Sequence, residues 1–370
     1  MLSRKNKLLA ILGPTATGKT DIALFLAKKF NGELVSCDSR QVYIGLDIGT
    51  GKMPKLESRI KNQELRLKKE KGFWEIDGIK VWMYDVVSTK YQYTVADYVK
   101  DADKAIENIL ERGKLPIVVG GTGFYLKALL DGLSNLSIPV DKNLRKQLET
   151  LSLIDLQNKL QETSPQRWKK MNYSDRQNPR RLVRAIELML SSLRRLVSRS
   201  GQGSNKQLLG RNWIPVYARL AGASAKRAGM TSFNILKIGL IAPRDMLYRR
   251  VDERVVSRIK QGMVEEAKRL YENGLTVERM KQLGLEYGVL ADYLDGKIKT
   301  RDELIQIVQN KIHRFVRRQL TWFKKEKDMK WFDLTDKNYS SKVENFVSRW
   351  YDNEIEDRNG QIGKLNKITV

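Results

Sequence analysis

The sequence predicts an α/β fold: a parallel-sheet core built round a phosphate-binding loop and interrupted by a helical insertion. Three observations carry this. Short apolar runs ending in glycine or aspartate alternate with amphipathic helical stretches, the pattern of strands buried on both faces. Gly13-Pro14-Thr15-Ala16-Thr17-Gly18-Lys19-Thr20 fits G-x-x-x-x-G-K-[ST], and it lies between a strand pattern and a helix pattern. From about residue 134 to 193 strand signals vanish, and the chain becomes helical in pattern and rich in Gln, Lys and Arg.

In chain order, residues 7–12 form an apolar run that reads as a buried parallel strand. Residues 20–30 follow as a helix with Ile22, Leu24, Phe25, Ala27 and Phe30 on its apolar side. Residues 33–37 read as a second strand ending at Asp38, residues 95–112 as a helix, and residues 115–119 as a third strand ending in Gly120-Gly121. After the insertion a strand is expected at 233–241, then long helices at about 245–273 and 301–326 with a shorter one near 286–294. The domain reading is therefore 1–133 as the first part of the core and 134–193 as the helical insertion. A basic, mobile loop follows at 194–231, the second part of the core at 232–335 and a C-terminal tail at 336–370.

Composition narrows the chemistry. The 370 residues suit about two domains. Sixty-nine Lys and Arg against 43 Asp and Glu give a net charge of +26, which predicts a polyanionic partner, nucleic acid or an anionic membrane surface. Between Glu187 and Asp245 there is no acid over 57 positions, while ten are Lys or Arg. Cys37 is the lone cysteine and His313 the lone histidine, so a disulfide framework, a zinc knuckle and Ser-His or Cys-His catalysis lack material. The apolar run at 8–12 is too short for a signal peptide, and no run approaches the ~20 residues that span a bilayer. A cytoplasmic protein without a membrane partner is expected.

In the phosphate loop, the glycines let backbone N–H groups turn inward, and the following helix adds positive partial charge at its N-terminus. Lys19 can pair with phosphate oxygens, and Thr20 can offer its hydroxyl to Mg²⁺. The motif suggests ATP binding and a small-molecule kinase carrying a basic RNA-binding appendage. Such kinases usually place an Asp at the end of a neighbouring strand, yet residues 115–119 end in Gly120-Gly121-Thr122-Gly123 with no acid. Asp38 does end a strand, within Asp38-Ser39-Arg40-Gln41-Val42-Tyr43, a polar set suited to a planar substrate. It also admits a reading as a helix cap or as an indirect Mg²⁺ partner.

Taken together, several segments resemble the tRNA dimethylallyltransferases, the bacterial-type IPP transferase family. They are Gly13 to Thr20, Asp38 to Tyr43 with Gly45-Leu46-Asp47-Ile48-Gly49-Thr50, and Gly120 to Tyr125. Asn178-Pro179-Arg180-Arg181-Leu182-Val183-Arg184-Ala185, Arg250-Val251-Asp252-Glu253-Arg254 and Arg317-Arg318-Gln319-Leu320-Thr321-Trp322-Phe323 complete the set in family order.

The resemblance implies a P-loop NTPase-like core whose helical insertion clasps the anticodon stem-loop of tRNA. It also implies a donor, dimethylallyl diphosphate, whose diphosphate occupies Gly13, Pro14, Thr15, Ala16, Thr17, Gly18, Lys19 and Thr20, with Mg²⁺ at Thr20. Asp38 is then the general base, with Arg254 and Thr20 completing the catalytic set. The implied tRNA contacts are Asp38, Ser39, Arg40, Gln41, Thr122, Arg145, Arg181, Arg184, Gln282, Arg318 and Gln319. Arg250, Arg254 and Arg258 fall at four-residue spacing, which also reads as a solvated face, and Thr122 also reads as turn chemistry. A monomer is expected. A free-adenylate prenyltransferase and an RNA-binding protein with an inactive phosphate loop are the further alternatives.

Overall fold

The computed structural model describes residues 7–53, 66–133, 138, 140–199, 233–326 and 328–352. The chain divides into two compact units, Met1–Gly132 with Ala228–Val370, and Leu133–Arg227. The last part of the chain therefore rejoins the first.

The larger unit is built on eight strands: β1 (Lys7–Leu12), β2 (Gly32–Cys37), β3 (Leu67–Glu70), β4 (Gly72–Ile76), β5 (Ile79–Tyr84), β6 (Leu115–Gly120), β7 (Asn234–Ile241) and β8 (Lys330–Asp333). Their order in the sheet is β3-β4-β5-β2-β6-β1-β7-β8. From β5 to β8 neighbours run parallel, and β3-β4-β5 is an antiparallel extension. Every residue of β1, β2 and β6 is buried, Lys7, Glu33 and Ser36 included, which is why these three read as mainly apolar runs without alternation.

Their register places the site. Leu12 and Cys37 both lie opposite Gly120, so β1, β2 and β6 end level with one another. The phosphate loop, Asp38 and the Gly121 turn consequently leave the sheet side by side at its carboxyl edge, where parallel sheets bind ligands.

Helix α1 (Lys19–Lys29) opens directly from the loop at Gly18. It buries Ile22, Leu24 and Ala27 as expected, but Phe25 is 44% exposed because its position turns away from the Ile22-Leu26 stripe. Helix α2 (Val95–Glu111) begins with a Thr94–Asp97 capping box, and α3 (Gly123–Leu130) follows β6. Neither the hairpin nor β8 was expected. The hairpin carries a readable signal: Phe73 to Ile76 and Ile79 to Trp82 flank Asp77-Gly78, both left-handed, the two-residue turn that matches strand twist.

The smaller unit contains α4 (Lys142–Glu149), α5 (Leu153–Thr163), α6 (Pro165–Lys170), α7 (Tyr173–Arg176) and α8 (Pro179–Arg199). Leu148, Leu156, Leu160, Met171, Leu182, Val183 and Ile186 form its core. Helix α8 runs past 193 into the region expected to be a mobile loop, and 200–231 of that region lies outside the described residues.

Back in the larger unit, the helix expected at 245–273 is two: α9 (Arg244–Lys260) and α10 (Met263–Glu272), divided at Gly262, whose φ of 99° no helix tolerates. Then come α11 (Val277–Leu283), α12 (Leu285–Leu294), α13 (Arg301–Phe323) and α14 (Tyr339–Tyr351). Helix α14 lies in the expected tail. Val343, Val347 and Trp350 bury one face of it, and Lys7 Nζ donates to the carbonyls of Trp350 at 2.8 Å and Tyr351 at 2.7 Å. Residues 353–370 lie outside the described residues.

Candidate active site

At the carboxyl edge of the sheet a cleft of about 450 Å³ is lined by the phosphate loop from Thr15 to Thr20, by Asp38, Arg40 and Gln41, and by Arg250, Arg254 and Arg258 of α9. The loop is closed by its own bonds. Thr17 Oγ1 donates to the Pro14 carbonyl at 2.9 Å, and Lys19 Nζ donates to the same carbonyl at 2.7 Å. Burial, with Arg254 nearby, lowers the Lys19 pKa to about 7, and the Asp38 charge opposes that shift.

Arg254 is another cation lining this space. Burial and the neighbouring Arg258 lower its pKa to about 9, against the pull of Glu286 and Asp38. Its Nε is buried and has no hydrogen-bond partner among the described residues. A buried guanidinium N–H left unpaired is costly unless a ligand supplies the acceptor. Lys19 and Arg254 together therefore define a slot for an anion with several oxygens. The four-residue stripe on α9 is thus no solvated face: Arg250, Arg254 and Arg258 all line the cleft.

Asp38 faces these cations from the end of β2. Its Oδ1 accepts the Arg40 N–H at 2.8 Å, an Asx turn that fixes the carboxylate on its own loop. The Gln41 side chain is held from two sides. Ser36 Oγ donates to Gln41 Oε1 at 2.6 Å, while Gln41 Nε2 reaches the carbonyls of Thr50 and Gly51 at 3.3 and 3.4 Å. Arg40 Nε donates to the Leu283 carbonyl, which gives part of this residue a scaffold role.

Two more residues complete the frame: Arg258, which the sequence showed only as part of the four-residue stripe, and Glu266, which sequence reasoning passed over. Arg258 Nη1 donates to the Gly49 carbonyl at 2.8 Å and lies 3.8 Å from Glu286. Glu266, 4% exposed, accepts the N–H groups of Asp47 at 3.0 Å, Ile48 at 2.8 Å and Gly49 at 3.2 Å, and the Tyr287 hydroxyl at 2.5 Å. The Gly45 to Thr50 segment is thus clamped by α9 and α10. No local pattern around Glu266 signals this, because the N–H groups it accepts lie more than two hundred residues away.

The expected tRNA contacts divide. Asp38, Arg40, Gln41 and Gln319 line the cleft, whereas Ser39 and Thr122 do not. The Thr122 carbonyl opens α3 by accepting the N–H groups of Tyr125 and Leu126. Gln282 is exposed and accepts from Arg279 Nη1 at 3.1 Å. Arg318 is exposed with Arg314, Arg317 and Thr321 around a shallow groove of about 430 Å³. Partial burial and repulsion from Arg40, Arg314 and Arg317 lower its pKa, the mark of a cationic patch without enough acids. Gln319 is only 6% exposed, and its amide is engaged inside the protein.

In the smaller unit Arg145 and Arg184 are committed to Glu187, which is fully buried. Arg145 lies 2.9 Å from its carboxylate through Nη2 and 3.2 Å through Nε, Arg184 Nη1 lies 2.5 Å away, and the Asp141 N–H adds a fourth bond at 2.7 Å. Burial would raise the Glu187 pKa, but these partners outweigh it and hold the group ionised. Arg145 therefore joins α4 to α8, while Arg184, on α8 with Glu187, ties that helix to the Ile138 carbonyl at 3.2 Å. Arg181 is exposed and pairs with Asp175.

For Mg²⁺, no cluster of three or more His, Cys, Asp or Glu exists among the described residues. The half-buried Thr20 hydroxyl at the cleft suits an ion that keeps its waters and is held chiefly by ligand phosphates. His313 stands apart from the cleft lining: its Nε2 lies 2.8 Å from Asp252 Oδ1, and its ring stacks on Tyr248 at 4.0 Å. No helix among the described residues is long and apolar enough to cross a membrane.

Comparison with known proteins gives the family. The family model for IPP transferase matches residues 41–326, and that for isopentenyl transferase matches residues 6–66. A tRNA dimethylallyltransferase from Thermomicrobium roseum is 34% identical over 94% of this chain and 92% of its own length. A tRNA dimethylallyltransferase 2 from Treponema denticola is 36% identical over 88% of this chain and 93% of its own. Among solved structures, the full-length tRNA isopentenylpyrophosphate transferase of Bacillus halodurans superposes with a TM-score of 0.60 at 30% identity, covering 94% of this chain and 98% of that one. A eukaryotic dimethylallyltransferase acting on tRNA shares the fold, with a TM-score of 0.69 at 24% identity over 94% of this chain and 80% of that one. With a family match across most of its length and relatives above 30% identity over nearly all of it, this chain belongs to the IPP transferase family.

Proposed function

We propose that this chain transfers a dimethylallyl group from dimethylallyl diphosphate to the exocyclic N6 of the adenine immediately 3′ of the anticodon in tRNA, releasing diphosphate. The observation that carries this reading is the meeting, in one cleft, of Lys19 and of Arg254, whose buried Nε has no partner among the described residues, with the Asp38 carboxylate at the end of β2. The cations suit a leaving diphosphate. The carboxylate suits an amine that must lose a proton. Relatives named tRNA dimethylallyltransferase match the chain nearly end to end.

In the proposed step, the N6 lone pair forms a bond to the allylic carbon as the carbon–oxygen bond breaks, and the electron pair leaves with diphosphate. Asp38 accepts the proton that N6 sheds. Lys19, Arg254 and the loop N–H groups balance the charge that develops on the departing oxygen. Mg²⁺, when bound beside Thr20, would neutralise part of the diphosphate charge. Met53, Val119, Ile312 and Phe315 add apolar lining to a cleft that a purely phosphate-binding site would not need. The target adenine has to leave its stack to reach Asp38, at a cost of a few kcal/mol that stacking and edge contacts offset. A phosphotransferase is disfavoured because β6 ends in Gly120-Gly121 without an acid.

The test is incubation of the protein with labelled dimethylallyl diphosphate, Mg²⁺ and unmodified tRNA carrying adenine 3′ of the anticodon. Label is expected in tRNA, at that adenine, and not in AMP supplied as competitor. Folded protein that consumes ATP without tRNA and leaves tRNA unlabelled would overturn the proposal.

A further inference from the structure

Gln319 sits on the buried face of α13, in line with Ile312, Val316, Leu320 and Phe323. Its Oε1 accepts the N–H of Thr15 in the phosphate loop at 2.9 Å. Its Nε2 donates to the Gly121 carbonyl at the end of β6, also at 2.9 Å. One partner is a donor and the other an acceptor, so only this amide orientation satisfies both. The neighbouring glycines make room for it. A Cβ on Gly121 would stand 2.4 Å from Gln319 Nε2 and 3.1 Å from the Gly13 carbonyl, and one on Gly123 would stand 2.2 Å from the Trp322 ring. The Gly120-Gly121-Thr122-Gly123 segment, where a kinase would carry its acid, is thus the seat of α13.

We propose that Gln319 is a positioning residue for the phosphate loop, bracing its first turn against the end of β6, and that it links the loop to the RNA-facing surface of α13. Arg317 and Arg318 lie immediately before Gln319 and point outward, while Gln319 points inward. RNA docking on those arginines therefore bears on the same helical turn that holds Thr15. The inference rests on the diphosphate reading of the loop, and it reassigns a residue that the resemblance gave to tRNA.

The test uses inorganic diphosphate as probe and calorimetry on the full chain, with Gln319→Leu and, independently, Gly121→Ala, whose Cβ would displace the Gln319 amide. Each variant is expected to bind diphosphate about tenfold more weakly, the effect of one or two lost hydrogen bonds. The double variant should be no weaker than either single one, since both remove the same brace. Binding of an anticodon stem-loop alone should stay within twofold in Gln319→Leu and weaken in Arg318→Ala. Hydrogen exchange should quicken at Thr15 and not across β1, which separates a loosened loop from a damaged fold. Unchanged diphosphate affinity, or additive losses, or weakened stem-loop binding in Gln319→Leu with diphosphate binding intact, would overturn the assignment. Wild-type protein that fails to bind diphosphate would instead overturn the reading of the loop.

Discussion

Lys19 is a cation that the free protein holds only in part at neutral pH, since burial and Arg254 bring its pKa to about 7. A diphosphate arriving in the loop restores the charge. The sign follows from linkage. The free pKa lies below that of the liganded state, so binding takes up a proton above pH 7, and affinity falls as pH rises through that window. Calorimetry at pH 8 in two buffers of different ionisation enthalpy should register this uptake, and Lys19→Met should abolish the lysine's share of it. Asp38 offers a cleaner separation of roles. Asp38→Asn keeps the acceptor for the Arg40 N–H and removes only the base. Transfer should fall at least ~10²-fold, the usual scale of general-base loss, with tRNA affinity within a few-fold of wild type. A rate close to wild type in Asp38→Asn would assign the base to another group.

At the scale of elements, charged side chains do structural work that the sequence conceals. Glu33 opens β2, 1% exposed, and binds Arg112, Lys114 and Trp82 Nε1. Burial pushes its pKa up, but these partners win and hold it at about 2. A group depressed in the folded state stabilises above its unfolded pKa near 4.5 and loses that contribution as pH falls toward 2. The melting temperature of wild type should therefore drop more steeply between pH 5 and 3 than that of Glu33→Gln. In the smaller unit, Glu187→Ala should cost roughly 3 kcal/mol, because it leaves Arg145 and Arg184 facing a site built for an anion. Denaturant unfolding and proteolysis within residues 140–191 would measure it.

The same distinction explains what could be read beforehand. The phosphate loop, the strands at 7–12, 33–37 and 115–119 and the cleft residues Asp38 and Arg254 were legible, because each rests on local pattern or on a motif. The hairpin was legible in principle, through Asp77-Gly78 between alternating strands. Helix α14 likewise showed Val343, Val347 and Trp350 at helical spacing. The internal partners of Glu266, Gln319 and the Glu187 cluster were not legible, although the resemblance named Gln319, Arg145 and Arg184 themselves. Their partners are set by tertiary register, so Arg145 and Arg184 look in sequence like any surface arginine.

For the whole molecule, the +26 charge has to be apportioned between scaffold and partner. Arg112, Arg145, Arg184 and Arg258 are spent on internal acids or carbonyls, and Lys19 and Arg254 on the proposed diphosphate. Arg314, Arg317 and Arg318 remain exposed together around one groove, which makes them the charges on the described surface best placed for RNA phosphates. Each neutralised phosphate contributes roughly −0.7 to −0.9 to the slope of log affinity against log salt. Replacing all three arginines by Ala should therefore flatten the slope for an anticodon stem-loop by about 2 to 3, while diphosphate affinity stays within twofold. A wild-type slope much steeper than that loss would assign the balance to other basic residues, the ten of the acid-free stretch among them. A slope unmoved by the triple substitution would mean that this groove does not carry the RNA, whatever its charge.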